Sequence, residues 1–261
     1  MARRGLRGLA LGYIALLLLL PLGSLFVRFF QDGMGVFWTE LTRPAALHSL
    51  QLTFLVSAIT TLINGICGTA VSFILARQTF PGKSVLNALV DLPFAIPTVA
   101  TGLMLVLVYG PTSLIGSFFG ELGIDIIFAF PGILLAMLFV TLPFTIRLVQ
   151  PTLVQLQPEG EEAARTAGAN GWQTFWLVTF PEIRRGIFTG CTLTFARSLG
   201  EFGAIIMVAS NIPMRTQTAP LYVFSEFESY NYAGATAVSI PLALVSFAIL
   251  ALLEYGLKRK A

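Results

Sequence analysis

Long apolar runs separated by short polar stretches make up most of the chain. A helix needs roughly 20 apolar residues to cross the hydrocarbon core of a membrane. Runs of this length therefore predict membrane-spanning helices. Six are predicted, at residues 9–27, 50–76, 86–109, 126–146, 187–209 and 233–253.

The first of these runs follows a basic start, MARRGLRG, an arrangement that is also found in signal peptides. The run at 9–27 is longer than a usual signal core, and no small-residue cleavage site follows it. We therefore expect it to be a membrane span.

The composition is that of a membrane protein. Hydrophobic residues make up 56% of the chain and charged residues only 11%, whereas average proteins contain about 25% charged residues. Six spans in 261 residues leave no room for a large soluble domain. We predict an all-α integral membrane protein that forms a single domain over residues 1–261. Residues 1–48 would hold the basic segment, the first span and an outer loop, and residues 49–253 the core.

The positions of Lys and Arg predict the orientation of the spans. If the N-terminus is cytoplasmic, the outer segments carry only Arg28, Arg43 and Arg215, and Arg197 lies within a span. Cytoplasmic loops are enriched in Lys and Arg, so both termini are predicted to be cytoplasmic. The basic residues flank apolar runs and do not cluster, which argues against a nucleic-acid partner. The cytoplasmic set is Arg3, Arg4, Arg7, Arg77, Lys83, Arg147, Arg165, Arg184, Arg185, Lys258, Arg259 and Lys260.

The predicted cytoplasmic loop at residues 155–185 contains a water-compatible helical segment. Glu161 lies four residues before Arg165, the favourable order for an ion pair on one helix. Small side chains at Ala163, Ala164 and Ala167 would let another surface approach closely. Gly168 is expected to end this helix.

The second half of the loop is aromatic. Trp172, Phe175, Trp176 and Phe180 recur at the spacing of one helical face, and Pro181 is expected to close the segment. Without further information, an amphipathic helical hairpin on the membrane surface would explain the whole loop.

The spacing of this loop resembles a known motif. Glu162-Ala163-Ala164, three residues, Gly168, nine residues and then Val178-Thr179-Phe180-Pro181 resemble the EAA loop of binding-protein-dependent ABC importer permeases. Val178 and Phe180 replace the usual Ile and Leu, and both remain apolar. The resemblance implies a coupling helix that docks on a cytoplasmic ATPase subunit. The coupling residues would be Glu161, Glu162, Ala163, Ala164, Gly168 and Pro181.

The chain itself carries no nucleotide, metal or catalytic motif. Gly82-Lys83-Ser84 matches only the tail of a phosphate-binding loop, since the earlier glycine position is occupied by Arg77. His48 has no Cys, Asp or Glu at the spacing of a metal ligand. We expect no enzymatic activity, no metal and no cofactor on this chain, and the resemblance places ATP and Mg²⁺ on partner ATPase subunits.

Ionisable residues inside the predicted spans indicate a polar route. A charge at the bilayer centre costs at least about 2.5–3.5 kcal/mol unless it is paired or in contact with water. Arg197 and Glu201 lie four residues apart in the fifth span and should share one helix face. They are expected to form a neutralising pair, to line the pathway, or both. Asp91 lies near the cytoplasmic end of the third span, where Pro93 and Pro97 should kink the helix. The predicted pathway or gate residues are Asp91, Pro97, Thr98, Thr101, Arg197 and Glu201.

Two stretches of the sequence narrow the resemblance to a subfamily of these permeases. DLPFAIPTVATGL at 91–103 and FARSLGEFGAIIMVASNI at 195–212 look like the T-type permease subunit of bacterial sulfate/thiosulfate importers, over roughly residues 16–253. Molybdate/tungstate permeases share much of both strings and remain an alternative. A secondary anion transporter is the alternative from another class, although the two repeated halves that are common in such transporters are not found.

The resemblance also implies an assembly. Its members would be a second permease subunit, two copies of an ATPase and an extracytoplasmic sulfate-binding protein. The expected membrane is the bacterial inner membrane, with a plastid envelope as the alternative.

Overall fold

A computed structural model describes the chain over residues 2–258. The side chains at 2–5, 7, 254 and 256–258 lie outside that description, as do the basic residues Arg259 and Lys260 that were used for orientation. Residues 2–258 contain helices and no strand. The helices are α1 (Ala2–Ile14), α2 (Leu20–Asp32), α3 (Met34–Leu41), α4 (Pro44–Arg77), α5 (Lys83–Ala95), α6 (Thr98–Tyr109), α7 (Leu114–Glu121), α8 (Phe130–Gln155), α9 (Glu159–Thr166), α10 (Gly171–Thr174), α11 (Phe180–Leu199), α12 (Gly203–Ala209), α13 (Ala219–Glu228) and α14 (Tyr232–Lys258).

Short π-helical segments join α1 to α2 at Ala15–Leu19 and α10 to α11 at Phe175–Thr179. Four helical stretches are long and apolar enough to cross a membrane: Gly8–Asp32, Pro44–Arg77, Phe130–Gln155 and Tyr232–Leu253. Two further spans are each built from a bent pair of helices. The prediction of an all-helical membrane protein with about six spans is confirmed.

The third span is broken, which corrects the prediction of a kinked helix at 86–109. Helices α5 and α6 meet at an angle of 114°. Pro97 has no N–H to continue a helix, and a residue before proline is pushed towards extended backbone. Ile96 accordingly has φ −87° and ψ 129°. Pro97 then becomes the N-cap of α6.

The fifth span is broken as well, although 187–209 was predicted as one helix. Helix α11 ends at Leu199, α12 begins at Gly203, and the helix that runs from Gly171 to Leu199 meets α12 at 61°. Gly200, Glu201 and Phe202 form the connection. Glu201 therefore does not lie on the same helix as Arg197.

Helices α4, α8 and α11 pack around small residues. A Cβ atom on Gly190 would lie 2.9 Å from the Thr145 Cα atom, and one on Gly65 would lie 2.8 Å from the Cys191 sulfur. Lipid tails are as apolar as leucine, so close backbone packing is a main force between helices in a membrane. The glycines therefore allow the contact that holds these three helices together.

Buried polar side chains reinforce the same three helices. The Asn64 amide donates to the Thr141 hydroxyl at 2.9 Å and to the Leu138 carbonyl at 3.1 Å, linking α4 to α8. Thr145 and Thr194 share a hydrogen bond of 3.1 Å between α8 and α11.

We expect Asn64→Leu to lower the free energy of unfolding by about 0.6 kcal/mol, the average for hydrogen bonds between membrane helices. Thr141 keeps its bond to the Met137 carbonyl, so no buried hydroxyl is left without a partner. The measurement is unfolding in detergent. Thr61→Val is the matched control, because the Thr61 hydroxyl bonds within α4, to Ser57. Equal losses in both variants would contradict the interhelical role of Asn64.

The N-terminal span buries little of its own surface, and the helix that follows it is joined to the bundle by polar contacts. None of the most apolar stretch of Gly8–Asp32 is buried. At the end of α3, however, Glu40 is 8% exposed and pairs with Arg43 at 2.7 Å. Asn231 donates to Glu40 at 3.1 Å and to Glu226 at 2.5 Å, which joins α3, α13 and the start of α14. Burial, with the nearby carboxylate of Glu226, raises the pKa of Tyr222 in α13 to about 12.

Candidate coupling loop and membrane pathway

The loop at 155–185 begins with a short, solvent-facing helix. Pro158 is the N-cap of α9. Three glutamates lie in the first turn, where the positive end of the helix dipole stabilises their negative charges. No residue of α9 is buried. Gly168 follows with φ +91°, a left-handed conformation that glycine adopts without strain. Gly168 therefore lies at the turn where the sequence predicts the helix end.

The second half of the loop is a helix that runs on into the fifth span. Asn170 and Gln173 form a capping box, each side chain bonding the other's backbone N–H at 2.9 Å. Pro181 does not close the segment, contrary to the prediction. A proline clashes with the carbonyl four residues earlier in an α-helix, and the wider π-helical segment Phe175–Thr179 just before it lets the helix continue.

The aromatic residues of this helix do share one face. Ring centroids lie 5.6 Å apart for Trp172 and Trp176 and 4.8 Å apart for Trp176 and Phe180. Phe175 packs against Phe73 of α4 at 6.4 Å. The face borders an apolar groove of about 970 Å³ between α4 and α11.

The two adjacent glutamates of the motif have different surroundings. The Glu161 carboxylate accepts hydrogen bonds from Arg77 at 3.0 Å and from Thr179 at 2.8 Å. Its predicted pairing with Arg165 is wrong, because the fold brings the end of α4 against α9 and places Arg77 beside the carboxylate. Glu162 and Ala163 are exposed, and Ala164 is half-buried.

Arg197 and Glu201 form an ion pair across the break in the fifth span. Arg197 Nη2 lies 2.7 Å from Glu201 Oε2, and the Glu201 side chain is only 1% exposed. Glu201 Oε1 also accepts a hydrogen bond of 2.9 Å from the Ala204 backbone N–H. The carboxylate therefore neutralises a cation and caps the first turn of α12. The pair exists as predicted, but it joins a helix end to a connection and does not lie on one helix face.

The breaks of the third and fifth spans meet. Gly203 packs directly against the Thr98 hydroxyl, and a Cβ on Gly102 would lie 2.6 Å from the Ala204 carbonyl. Pro97 and Thr98 thus lie beside the connection that holds Glu201. Thr101, 1% exposed, lies one turn along α6, and its hydroxyl has no hydrogen-bond partner within residues 2–258.

Asp91 belongs to another polar cluster. Arg147 of α8 binds it with two parallel bonds, from Nε at 2.6 Å and from Nη2 at 2.7 Å. The other N–H groups of Arg147 donate to Asn87 and Gln150, so all five are used. Asp91 is therefore neutralised by α8, whereas Arg147 entered the sequence argument only as an orientation charge.

Comparison with known proteins identifies this architecture. Residues 68–259 match the family described as the binding-protein-dependent transport system inner membrane component. The chain belongs to this family. It is thus a multi-pass membrane permease of the ABC transporter class, a non-catalytic component whose ATPase activity lies in other subunits. The alternative of a secondary transporter is wrong.

Individual relatives cover nearly the whole permease. It is 44% identical to the "Probable sulfate transport system permease protein cysT" of Zygnema circumcarinatum, over 97% of this chain and 88% of that protein. It is 43% identical to the "Sulfate transport system permease protein CysW" of Synechocystis sp., over 94% and 89%. These two relatives, one named CysT and one CysW, differ by only one percentage point in identity to this chain.

The fold of the permease matches a solved bacterial alginate ABC transporter that was crystallised with its periplasmic protein. The TM-score is 0.80 at 18% identity, over 99% of this chain and 94% of that one.

Sequence reasoning missed three partners in the permease: Arg77, Thr179 and Arg147. Each is a polar residue at the end of an apolar run or in the loop, which is a common signal and does not identify a partner.

His48 is half-buried, and within residues 2–258 no three His, Cys, Asp or Glu side chains are grouped to hold a metal.

Proposed function

We propose that this permease is a membrane subunit of an ATP-driven importer of sulfate and thiosulfate. The similarity to relatives named as sulfate permeases, over more than nine tenths of the chain, is the observation that carries the proposal. The strings at 91–103 and 195–212 add the resemblance to the T-type subunit.

The proposed assembly has four further members. A second permease subunit completes the pathway, two ATPase subunits bind ATP and Mg²⁺, and an outer binding protein delivers the anion. We place the complex in a bacterial inner membrane with both termini of this chain in the cytoplasm. The exposed face of α9, with Glu162 and Ala163, and the turn at Gly168 would meet the ATPase, and Glu161, Ala164 and Pro181 would support that face.

Transport of a dianion requires a polar route, because a bare oxyanion cannot enter hydrocarbon. In transporters, interrupted helices often supply such a route through helix ends and free backbone groups. The breaks in the two interrupted spans are adjacent, since Thr98 packs against Gly203. Five residues lie at these breaks or within about one turn of them: Pro97, Thr98, Thr101, Arg197 and Glu201. We assign these residues to the pathway or its gate, and Asp91 with Arg147 to a second polar contact between α5 and α8.

The test is uptake of radiolabelled sulfate into proteoliposomes that contain this chain with its partner subunits and binding protein. We expect uptake that requires internal ATP and that excess thiosulfate blocks. ATP-independent uptake would contradict the importer mechanism. Block by molybdate alone would assign the permease to the molybdate/tungstate branch, which is the alternative.

A further inference from the structure

The adjacent residues Glu161 and Glu162 of α9 carry the same side chain but have different surroundings. Glu162 is exposed. The Glu161 side chain is 13% exposed and bonds to two other elements of the chain. Only one of the two carboxylates is therefore free to meet a partner protein.

The contacts of Glu161 connect three helical elements through one oxygen. Glu161 Oε1 accepts from Arg77, the last residue of α4, at 3.0 Å. The same oxygen accepts from the hydroxyl of Thr179 at 2.8 Å, and Thr179 ends the π-helical segment that leads into α11. Thr179 is 2% exposed and the Arg77 side chain 23%, so this junction is largely, but not fully, shielded from water.

Among the residues that the structure describes, few other contacts attach α9 to the bundle. None of the residues of α9 is buried, and a Cβ placed on its Gly160 would only reach ordinary contact with Val178, at 3.4 Å. Removing one partner of a largely buried ion pair leaves the other charge uncompensated. Arg77 depends on Glu161 in this way, because its Nε is buried and has no hydrogen-bond partner in the described chain.

We propose that Glu161 is a positioning residue that carries the movement of α9 to the ends of α4 and α11. It does not touch the ATPase. When α9 is displaced by a partner, the carboxylate moves Arg77 and Thr179 with it, so two spans follow one surface helix. This inference rests on the proposed coupling of α9 to an ATPase.

The first test compares Glu161→Gln with its neighbour Glu162→Gln in the assembled complex. The measured quantity is the number of sulfate ions transported per ATP hydrolysed, in preparations matched for assembled complex. We expect Glu161→Gln to lower this ratio by about tenfold while ATP hydrolysis continues, because α9 then moves without α4. Glu162→Gln should instead lower the amount of complex that assembles, because Glu162 lies on the surface that is proposed to meet the ATPase, whereas Glu161→Gln should leave assembly intact.

A second readout does not depend on the substrate. Hydrogen exchange of residues 159–166 in the complex should rise by about tenfold in Glu161→Gln and in Arg77→Met, since both open the same junction. The double variant should be no worse than either single one, as expected for two residues that act through one contact. Unchanged exchange in Glu161→Gln, or effects that simply add, would overturn the proposal.

A proportional fall of ATP hydrolysis and uptake would also overturn it, because that pattern indicates a loss of intact protein and not a loss of positioning. If the unaltered complex took up no sulfate, the proposed substrate would be wrong. The hydrogen-exchange comparison would still decide the role of Glu161.

Discussion

Arg197→Ala is expected to abolish uptake and to lower the free energy of unfolding by about 3–5 kcal/mol, because it leaves a buried carboxylate without its cation. The Glu201 side chain is 1% exposed, and the only other hydrogen bond of its carboxylate in the described chain comes from the Ala204 backbone N–H. The substitution removes the positive charge and leaves the negative one in place. Unfolding in detergent and ATP-dependent uptake measure the two effects separately.

Glu201→Gln is the informative companion variant. The amide oxygen can still cap Ala204, and Arg197, whose side chain is 35% exposed, can still reach water. We therefore expect a smaller loss of stability than in Arg197→Ala, and the double variant Arg197→Ala with Glu201→Gln should recover part of that loss. If only Glu201→Gln were harmful, the two residues would not act as a neutralising pair.

Gly168→Val is expected to reduce ATP-driven uptake by at least about tenfold without preventing insertion into the membrane, because β-branched residues rarely adopt positive φ. No atom lies within 4 Å of a Cβ placed on Gly168, so the effect comes from the backbone and not from a clash. The strain of φ +91° would shift the turn that places α9 relative to α10. Uptake and co-purification of the ATPase subunits are the measurements.

Two controls separate backbone strain from side-chain bulk. Gly168→Asn should retain more uptake than Gly168→Val, since asparagine tolerates the left-handed region. Gly171→Ala should retain full uptake, because Gly171 also has open space around it and does not have positive φ. Equal losses in Gly168→Asn and Gly168→Val would show that the turn geometry is not the cause.

The apolar runs predicted the membrane fold well because the requirement is local. Any segment that crosses hydrocarbon must be long, apolar and internally hydrogen-bonded. Four spans meet that condition as single helical stretches, and the third and fifth meet it as bent pairs of helices. Gly168 was predicted for a similar reason, since a helix end with φ above zero favours one residue type.

The breaks in the third and fifth spans were only partly predictable. Pro97 indicated that the third span would be interrupted, but a proline permits either a kink or a complete break of the helix. The complete break is the one that lets α6 pack against α12, with Gly102 against Ala204 and Gly203 against Thr98. The break in the fifth span begins at Gly200, where there is no proline. Because glycine is common inside membrane helices, Gly200 alone did not indicate a break.

The pairing of polar side chains shows most clearly what the sequence determines and what the tertiary structure decides. The sequence alone determined a permease-like membrane chain, the position of its EAA loop and the closeness of Arg197 to Glu201, because these follow from local pattern or short separation. Only the tertiary structure decided that Glu161 binds Arg77 and that Asp91 binds Arg147, 84 and 56 residues apart. A charge accepts any opposite charge that the packed helices bring within reach, so its partner is a property of the fold.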